Sequence, residues 1–308
     1  MNSKVITVLI IGSQGQLGSF LVESFREKYN VIGLSRNDFD LMDSENFEQY
    51  IVRFKPSYVF NCAALVNVDE AEKFPDIASI LNVHAPAVLA KLCKNYFVSF
   101  IHFSTDYVFG NNNKNSPLSE DESPLPSSVY GQTKREGELE VLKANPDALI
   151  FRLSWVFSSR EGHNFFKKII SLAKNKSQLN IVNDQFGTPT SVNFISKFLL
   201  EFLDIFENGK KFSGIFHLVP SGETTWYYFA LSFLGKIRKY EKFLCHQDNI
   251  IPSKLVDFKT LANRPQYSVL SNKKFFSILN IEPPTWETEL DIVVEEYINN
   301  LPEFKSPH

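Results

Sequence analysis

The segment VITVLIIGSQGQLG, residues 5–18, joins a largely β-branched apolar run directly to three glycines spaced three residues apart. A short apolar run of this kind is typical of a strand buried on both faces of a parallel sheet. Gly12, Gly15 and Gly18 permit a tight turn that brings the backbone close to a ligand, and a helical pattern begins at Gln16. Free N–H groups at such a helix N-terminus bind a pyrophosphate. The segment therefore predicts the first βα unit of a dinucleotide-binding fold.

The same alternation of strand and helix continues through the first half of the chain. Strand-like segments recur at residues 31–34, 58–62, 100–104 and 149–153, and helical patterns lie at residues 16–28, 44–54, 80–96 and 129–145. Such alternation predicts right-handed βαβ units and an α/β fold with a doubly wound parallel sheet. After residue 155 the alternation weakens. We therefore predict a Rossmann-type dinucleotide-binding domain over residues 1–155 and a smaller substrate-binding lobe over residues 156–308, with some of its segments returning to the sheet.

Composition argues against several classes of function. The 308 residues are 44% apolar, enough for a full-sized core, and the net charge of -3 comes without a run of five like charges. We therefore expect no basic face for nucleic acid. The N-terminal apolar run is too short to span a bilayer and lacks a signal-peptide cleavage pattern, which predicts a cytoplasmic protein without membrane contact. Three cysteines without C-x-x-C spacing predict neither a disulfide framework nor a zinc site.

The end of the second predicted strand indicates which dinucleotide is used. An acidic residue at this place would bind the ribose 2′-hydroxyl of NAD, whereas an arginine accommodates the 2′-phosphate of NADP. The strand ends in Ser35 and Arg36, so a guanidinium is available for a bidentate phosphate contact. This favours NADPH, with NADH possible. The alternative is that Arg36 is an ordinary solvated loop residue.

Three side chains are suited to the reduction of a ketone. Among the eleven tyrosines, Tyr130 is the one followed by a lysine four residues later, and Lys134 then lies on the same helix face. A phenol is a poor acid unless a cation stabilises its anion, which Lys134 would do while bonding the nicotinamide ribose. Thr105 ends a predicted strand, from which its hydroxyl can stabilise the developing alkoxide. The alternative is that Tyr130 and Lys134 are an amphipathic pair on a surface helix.

Motifs along nearly the whole chain resemble one family. They are NCAA at residues 61–64, STDYVF at 104–109, YGQTK at 130–134, RLSWVF at 152–157 and NDQFGTPT at 183–190. Together with the glycine turn they resemble the dTDP-4-dehydrorhamnose reductases, which are extended short-chain dehydrogenase/reductases. The resemblance implies an NADPH-dependent reduction of the 4-keto group of a nucleotide-linked 6-deoxysugar, with dTDP-4-dehydro-L-rhamnose as substrate and dTDP-L-rhamnose as product.

The resemblance also implies roles for individual residues. The implied cofactor contacts are Gly15, Gln16 and Leu17 at the pyrophosphate, in the turn that contains Gly12 and Gly18, then Asp40 and Leu41 at the adenine, and Ala63 and Ala64 at the ribose. The implied catalytic set is Thr105, Tyr130 and Lys134. The implied substrate contacts are Thr105, Asp106 and Trp155 at the deoxysugar, and Asn164 and Arg264 at the nucleotide diphosphate. From the residues alone, a core position for Trp155 stays open.

Two departures from the family pattern bear on assembly and on the sugar. Some members bind Mg²⁺ between subunits through acidic side chains, but Phe20 and Asn193 stand at the corresponding positions. Neither supplies the anionic oxygen that Mg²⁺ prefers, so we expect no metal, and a monomer or a homodimer without a metal bridge. Leu65 and Val66 replace more polar residues of the family's sugar pocket.

Two other functions stay open on the sequence. The chain also resembles the non-catalytic regulatory β-subunit of methionine adenosyltransferase. A sugar-nucleotide epimerase or dehydratase would need further acid/base groups beside Thr105, and although Asp106 occupies such a position, no glutamate comes directly after it. The segments at residues 152–157 and 183–190 favour the reductases over both. The six histidines show no metal-binding spacing.

Overall fold

The computed structural model describes residues 6–111, 114–160, 162 and 164–302 of the chain. Its strands, β1 to β12, are Thr7–Ile11, Asn30–Leu34, Tyr58–Asn61, Ser99–Thr105, Leu149–Leu153, Val156–Phe157, Leu179–Val182, Phe186–Gly187, Thr190–Ser191, Gly214–His217, Thr224–Thr225 and Ile250–Ser253. Its α-helices, α1 to α11, are Gln16–Phe25, Glu48–Phe54, Val68–Lys73, Pro75–Ser79, Ala85–Asn95, Val129–Ala144, Phe165–Asn175, Val192–Glu207, Trp226–Ile237, Lys273–Leu279 and Trp286–Asn299.

Six of these strands form one parallel sheet in the order β10-β5-β4-β3-β1-β2. Every neighbouring pair is parallel. The chain passes from one side of β1 to the other between β2 and β3, which makes the sheet doubly wound. The predicted fold class is therefore confirmed. One strand of the second half of the chain, β10, pairs with β5 and extends this sheet.

Helices cover both faces of the sheet because its strands are apolar on both sides. On one face, α1, α8 and α10 enclose a core rich in phenylalanine. On the other face, side chains of α2, α5 and α6 pack into a second core. Val8 and Leu9, neighbours in β1, belong to opposite cores, as the two-residue period of a strand requires. The carboxyl edge of the sheet is thus held by rigid layers.

A third core lies in the second half of the chain. Helices α7, α9 and α11 pack against β7 and β12 around side chains such as Phe166, Phe233 and Leu290. These two strands form a parallel pair, and two further two-stranded pairs join β6 to β9 and β8 to β11. This lobe stands beside the sheet with a hydrophobic core of its own.

Among the described residues, one helical run is long and apolar enough to cross a membrane by length and composition, Pro75–Asn95. It consists of α4, the π-helical turn Ile80–His84 and α5. Its inward-facing residues Leu89, Ala90 and Cys93 are fully buried in the core beneath the sheet. Such burial is that of a core helix of the Rossmann layer.

The predicted helix over residues 44–54 is helical throughout, but its first turn is a 3₁₀ helix and not an α-helix. Leu41–Phe47 form a 3₁₀ turn that breaks at Asp43, where φ is -112° and ψ is 51°, and α2 begins only at Glu48. The physical reason is local capping and burial. Asp40 accepts a hydrogen bond from the Met42 amide at 3.0 Å, and the turn inserts its apolar side chains into the core.

Candidate active site

The carboxyl ends of three strands meet at the switch point of the sheet. Gly12 follows β1, Ala63 lies shortly after β3, and Thr105 ends β4. In open α/β sheets, ligands bind outside the carboxyl ends of the strands at such a point. The amides of Gly12 and Ser13 both donate to the Leu34 carbonyl, at 2.9 and 3.1 Å, and so tie the turn to β2.

The glycine turn forms a cradle at the start of α1. Gly12 has φ of +79°, and a Cβ there would lie 2.9 Å from the Ala63 amide nitrogen. A Cβ on Gly18 would lie 2.2 Å from the Gly12 carbonyl oxygen. Gly15 precedes α1 without a side-chain cap, which leaves the first helical N–H groups, including those of Gln16 and Leu17, open to a ligand. An anionic pyrophosphate fits this cradle.

The loop after β2 contains an acid whose carboxylate is already bonded. Asp38 accepts hydrogen bonds from the amide and the hydroxyl of Ser35, at 2.9 and 2.6 Å, and these bonds lower the pKa of Asp38. Arg36 is exposed next to this turn. The carboxylate closes the loop after β2, and the guanidinium is accessible from solvent.

The residues assigned to the adenine and the ribose have local roles in their loops. Asp40 caps the 3₁₀ turn, and the side chain of Leu41 is buried in the core beside the sheet. Ala63 and Ala64 are half-buried after β3, and the Ala63 amide donates to Asn61 Oδ1 at 3.2 Å. Their contacts with a cofactor stay predictions.

Two polar side chains fix the start of α6. Ser128 caps the helix, since its hydroxyl accepts from the Gly131 amide at 3.2 Å. Glu72 of α3 accepts from the Val129 amide at 2.8 Å. Both bonds satisfy N–H groups that a helix leaves open at its N-terminus. They hold Tyr130 in the first turn of α6.

Tyr130 lies beside Thr105 at the carboxyl edge of the sheet. Both side chains are buried, with 9% and 6% of their surface exposed. Burial raises the pKa of Tyr130, and a hydrogen bond with Thr105 lowers it in part. The Tyr107 ring packs against the edge of the Tyr130 ring, with centroids 5.7 Å apart. The phenol is therefore protonated and adjacent to the hydroxyl predicted to act with it.

Asp106 binds three hydroxyl groups with one buried carboxylate. Thr105 donates to Oδ1 at 3.1 Å, and Ser154 and Ser268 donate to Oδ2 at 3.0 and 2.6 Å. Burial raises the pKa of Asp106 to about 6, although these hydrogen bonds lower it. The carboxylate thus orients Thr105 and joins the end of β4 to the second lobe. Its assigned contact with the sugar stays a prediction.

Lys134 points its amine from α6 onto β4. Nζ lies 2.7 Å from the Phe103 carbonyl oxygen and 3.2 Å from His102 Nε2. On the other side of the ring, His102 Nδ1 lies 3.2 Å from Asn61 Nδ2. Burial lowers the pKa of Lys134 to about 8, against the charge of Glu138, which raises it. The interpretation of Tyr130 and Lys134 as a surface pair is wrong, because both are buried.

The helix that carries Tyr130 and Lys134 is anchored by a buried ion pair. Glu138 Oε1 and Oε2 each accept from Arg152, both at 2.7 Å, and Ser104 donates to Oε1 at 2.6 Å. Glu138 and Arg152 are 0% and 1% exposed. Arg152 also contacts His217 Nε2 at 3.3 Å. This network locks α6 to β4, β5 and β10.

A groove of about 970 Å³ runs along the second lobe. Its lining includes Val66, Asn67, Asn164, Phe165, Lys167, Lys168, Trp226 and Arg264. Arg264 donates to Asp69 at 3.0 Å, and its Nε has no hydrogen-bond partner among the described residues. Asn164 caps α7 by accepting from the Lys167 amide at 3.1 Å. Basic and aromatic side chains together suit a nucleotide diphosphate.

Trp155 is held in place on both faces. Its indole stacks on Trp226 at 3.5 Å and 8°, and a Cβ on Gly187 would come within 2.3 Å of it. Its φ of +44° is uncommon for a bulky residue. Trp226, which the sequence analysis did not identify, lines the groove together with Phe165. Trp155 therefore supports the aromatic wall, and its contact with the sugar stays a prediction.

The two positions that led us to expect no metal are occupied by other contacts. The Arg160 guanidinium lies 4.3 Å from the centre of the Phe20 ring. Asn193 donates to Glu296 Oε1 at 2.9 Å. Within the described residues, no three His, Cys, Asp or Glu side chains come together as a metal site.

The comparison with known proteins agrees with this geometry. The sequence matches the RmlD substrate binding domain family over residues 6–299. The chain belongs to this family. Relatives of this RmlD-family chain include dTDP-4-dehydrorhamnose reductases from Burkholderia thailandensis, 33% identical over 297 residues (95% of this chain, 99% of the relative), and from Sinorhizobium fredii, 35% identical over 280 residues (90% and 93%).

Solved structures of RmlD-family relatives have the same fold. A dTDP-4-dehydrorhamnose reductase from Bacillus anthracis in complex with NADP gives a TM-score of 0.86 at 27% identity, covering 95% of this chain and 100% of that one. The protein from Clostridium acetobutylicum gives 0.85 at 30% identity, covering 94% and 99%. A UDP-glucose 4-epimerase from Thermotoga maritima, at 0.77 and 22% identity, shares the fold alone. The predicted family is confirmed.

Proposed function

We propose that this protein is an NADPH-dependent oxidoreductase that reduces the 4-keto group of dTDP-4-dehydro-L-rhamnose to give dTDP-L-rhamnose. The observation that carries the proposal is the contact of Tyr130 with Thr105 at the switch point of the sheet, beside an uncapped glycine turn. Relatives that match this chain over almost its full length are named as reductases of this substrate, and the B. anthracis structure is described as a complex with NADP.

The protein would bind the cofactor through hydrogen-bond donors at the switch point of the sheet. The N–H groups of Gln16 and Leu17 would hold the pyrophosphate, because the start of α1 has no side-chain cap, whereas the Gly15 amide already donates to the Gly12 carbonyl at 2.9 Å and shapes the turn. Arg36 would bind the 2′-phosphate, which favours NADPH over NADH. When bound, NADPH supplies the hydride that adds to the C4 carbonyl carbon. We assign this role to residues 1–155 and substrate binding to most of residues 156–308.

Tyr130 supplies the proton. Its raised pKa keeps the phenol protonated in the resting protein, so the proton is available to the alkoxide oxygen that forms at C4. Thr105, adjacent to the phenol, would stabilise the same oxygen once its single hydroxyl hydrogen turns from Asp106 Oδ1 to the substrate. A positive charge on Lys134 stabilises the phenolate that remains on Tyr130. The sugar thus gains a hydride at carbon and a proton at oxygen.

The groove beside the sheet is proposed to hold the rest of the substrate. Arg264 offers an unpartnered buried Nε to the diphosphate, while Lys167 and Lys168 add positive charge along α7. The rings of Phe165 and Trp226 line the groove and suit contact with a planar base, because aromatic rings pack favourably on one another. Substrate and cofactor would then meet at Thr105 and Tyr130.

Location and assembly are part of the same proposal. We expect a cytoplasmic protein, where a thiol-reducing environment suits the three unpaired cysteines. We expect a monomer or a homodimer that needs no metal, because Phe20 and Asn193 supply no carboxylate.

The direct test is NADPH oxidation with freshly made dTDP-4-dehydro-L-rhamnose, with the UDP analogue as comparison. The wild type should oxidise NADPH with the dTDP sugar. Tyr130→Phe should lower the rate by about 10²–10⁴-fold, since it removes the proton donor and keeps the ring. Tyr96→Phe, at the opposite edge of the sheet, is the matched control and should turn over normally. Cofactor binding without turnover in the wild type would instead support a non-catalytic subunit.

A further inference from the structure

The hydrogen positions between Asn61, His102 and Lys134 follow from one backbone amide. The Ala63 N–H can only donate, so Asn61 Oδ1 accepts it, at 3.2 Å. The amide group of Asn61, Nδ2, therefore faces His102 Nδ1 and donates to it, at 3.2 Å. An Nδ1 that accepts is unprotonated, which leaves the ring hydrogen of a neutral histidine on Nε2.

His102 is neutral because it is buried. Its side chain is 1% exposed, and burial lowers its pKa well below the usual value. The Phe100 ring lies parallel to the imidazole, with 9° between the planes. In the neutral ring, Nε2–H points to Lys134 Nζ at 3.2 Å. A hydrogen bond there requires a lone pair on the lysine nitrogen, which an ammonium group lacks.

We propose that His102 donates its Nε2 hydrogen to an uncharged Lys134 in the free protein, and that Lys134 takes up a proton from solvent when NADPH binds. This inference rests on the proposed function. The uncharged amine still donates one hydrogen to the Phe103 carbonyl, at 2.7 Å. The lowered pKa of Lys134, about 8, agrees with a mixed population near neutral pH.

Cofactor binding favours the charged form through electrostatics. NADPH brings several negative charges to a buried site, and nearby anions raise the pKa of an amine. Ribose hydroxyl groups can accept hydrogen bonds from the ammonium group. At pH 8, Lys134 is then charged when Tyr130 must give up its proton, and about half of the molecules carry the uncharged amine when the site is empty. His102 is thus a positioning residue that lets a lysine be buried without its charge.

The other titratable groups around the pair lie on every element that packs against it. They are Tyr130, Arg135 and Glu138 on α6, Arg152 on β5, Asp106 and Tyr107 after β4, Cys62 after β3, Glu72 on α3, and His84 on the turn before α5. Among them, the charge of Glu138 raises the pKa of Lys134, but that carboxylate is already paired with Arg152. Asp106, with a pKa of about 6, is ionised at pH 8 in the free protein.

Proton uptake is measured by titrating NADPH into the protein in a calorimeter. Two buffers with different ionisation enthalpies, phosphate and Tris, are compared at pH 8, where the 2′-phosphate is also fully ionised because phosphate monoesters titrate near pH 6. A pKa of about 8 in the free protein gives an uptake of about half a proton per NADPH bound. The uptake should increase towards one proton at pH 9.5, where CHES and ethanolamine replace phosphate and Tris as the pair of buffers.

Two variants distinguish proton uptake by Lys134 from proton uptake elsewhere in the protein when NADPH binds. Asn61→Asp places a second acceptor oxygen opposite Nδ1, which moves the ring hydrogen to Nδ1 and makes Nε2 an acceptor for a charged Lys134. Uptake should then fall to near zero while NADPH still binds. Lys134→Met should also abolish it. His84→Gln, which changes an exposed histidine, is the matched control and should keep the uptake of the wild type.

A measurement on the unaltered protein supports the test if a variant does not fold. Long-range ¹H–¹⁵N NMR spectra should show His102 with a hydrogen on Nε2 and none on Nδ1. An Nδ1–H tautomer, or uptake that persists in Lys134→Met, would overturn the inference. Normal NADPH binding without buffer dependence would overturn it while leaving the proposed function intact. Absence of any binding heat in either buffer, with no NADPH oxidation, would overturn both.

Discussion

At the scale of single residues, the protonation of Asp106 sets the acid limit of the proposed reaction. As the pH falls through about 6 the carboxyl group gains a proton, and it can no longer accept from all three hydroxyl groups. Thr105 then loses its orientation, and kcat/KM should decrease by up to roughly tenfold per pH unit. Rates with NADPH and the 4-keto sugar between pH 5 and 8 test this. In Asp106→Asn the decrease near pH 6 should be missing, and its persistence there would assign the titration to another group.

Arg36 sets the preference for NADPH. Arg36→Ala should lower kcat/KM for NADPH about tenfold and leave kcat/KM for NADH almost unchanged. Tenfold is the lower end of the range for a charge-assisted hydrogen bond, as expected at an exposed site. The measurement is the ratio of the two kcat/KM values. Arg53→Ala, an exposed arginine of α2 on the opposite edge, is the control. An unchanged ratio in Arg36→Ala would show that the 2′-phosphate is bound elsewhere.

Residue patterns predicted some of the site and could not predict the rest. Tyr130, Lys134 and Thr105 were identified because their spacing and strand position are local features. His102 was not, because a single histidine in the apolar strand β4 has the pattern of a core residue. Its partner Asn61 lies forty-one positions away and meets it only through the pairing of β3 with β4. Tertiary pairing of this kind leaves no periodic signal.

At the scale of elements, the buried pair of Arg152 and Glu138 fastens α6 to the sheet. Arg152→Met should lower the free energy of unfolding by up to about 3–5 kcal/mol, because it removes the buried guanidinium that bonds both Glu138 oxygens and leaves the partly exposed Arg135 as the remaining cation. Adding Glu138→Gln should recover part of this loss. Urea unfolding measures both. Lys94→Met breaks the exposed pair with Asp147 and should cost less than about 1 kcal/mol. If Arg152→Met and Lys94→Met lowered the free energy of unfolding equally, the buried ion pair would stabilise the protein no more than the exposed one.

Element boundaries were predictable where the apolar pattern was strong. The strand over residues 149–153 agrees with β5, and the helix over 129–145 agrees with α6 to within one residue. The helix over 44–54 begins as a 3₁₀ turn, because Asp40 and the buried Leu41 stabilise that turn before α2 starts. Local side-chain capping competes with helix formation over such short distances.

At the scale of the whole molecule, the groove is built from segments that are distant in sequence. Val66, Phe165, Trp226 and Arg264 line it together, although four different segments supply them. Asp69 joins two of these regions, since it accepts from the amides of Leu261 and Ala262 at 3.1 and 3.0 Å and from Arg264. The glycine turn predicted where a cofactor binds because one βα unit contains all of it. The substrate groove could not be predicted in the same way, because its lining comes together only in the folded chain.

Stability of the whole protein should depend on His217 in mildly acidic solution. Burial and the charge of Arg152 lower the pKa of His217 from 6.5 to about 3 in the folded protein, while the unfolded chain titrates near 6.5. Between these values the unfolded state binds more protons, so stability decreases as the pH falls from about 6.5 towards 3. Asp106 has the opposite effect on stability between pH 3.8 and about pH 6, because its pKa is raised in the folded protein. The pH dependence of the stability of the wild type alone therefore contains contributions from both groups.

A comparison of variants isolates the contribution of His217. Urea unfolding of the wild type and of His217→Gln is measured between pH 7.5 and 4.5, with Asp106→Asn as the background of both. The advantage of the histidine protein should decrease by roughly 1.4 kcal/mol for each pH unit below 6.5, since one proton separates the two states. Glu120 and Lys274, which also act near this ring, are present in both proteins and cancel in the difference. A difference that does not change with pH would mean that His217 is protonated in the fold, and that its contact with Arg152 is not the one described.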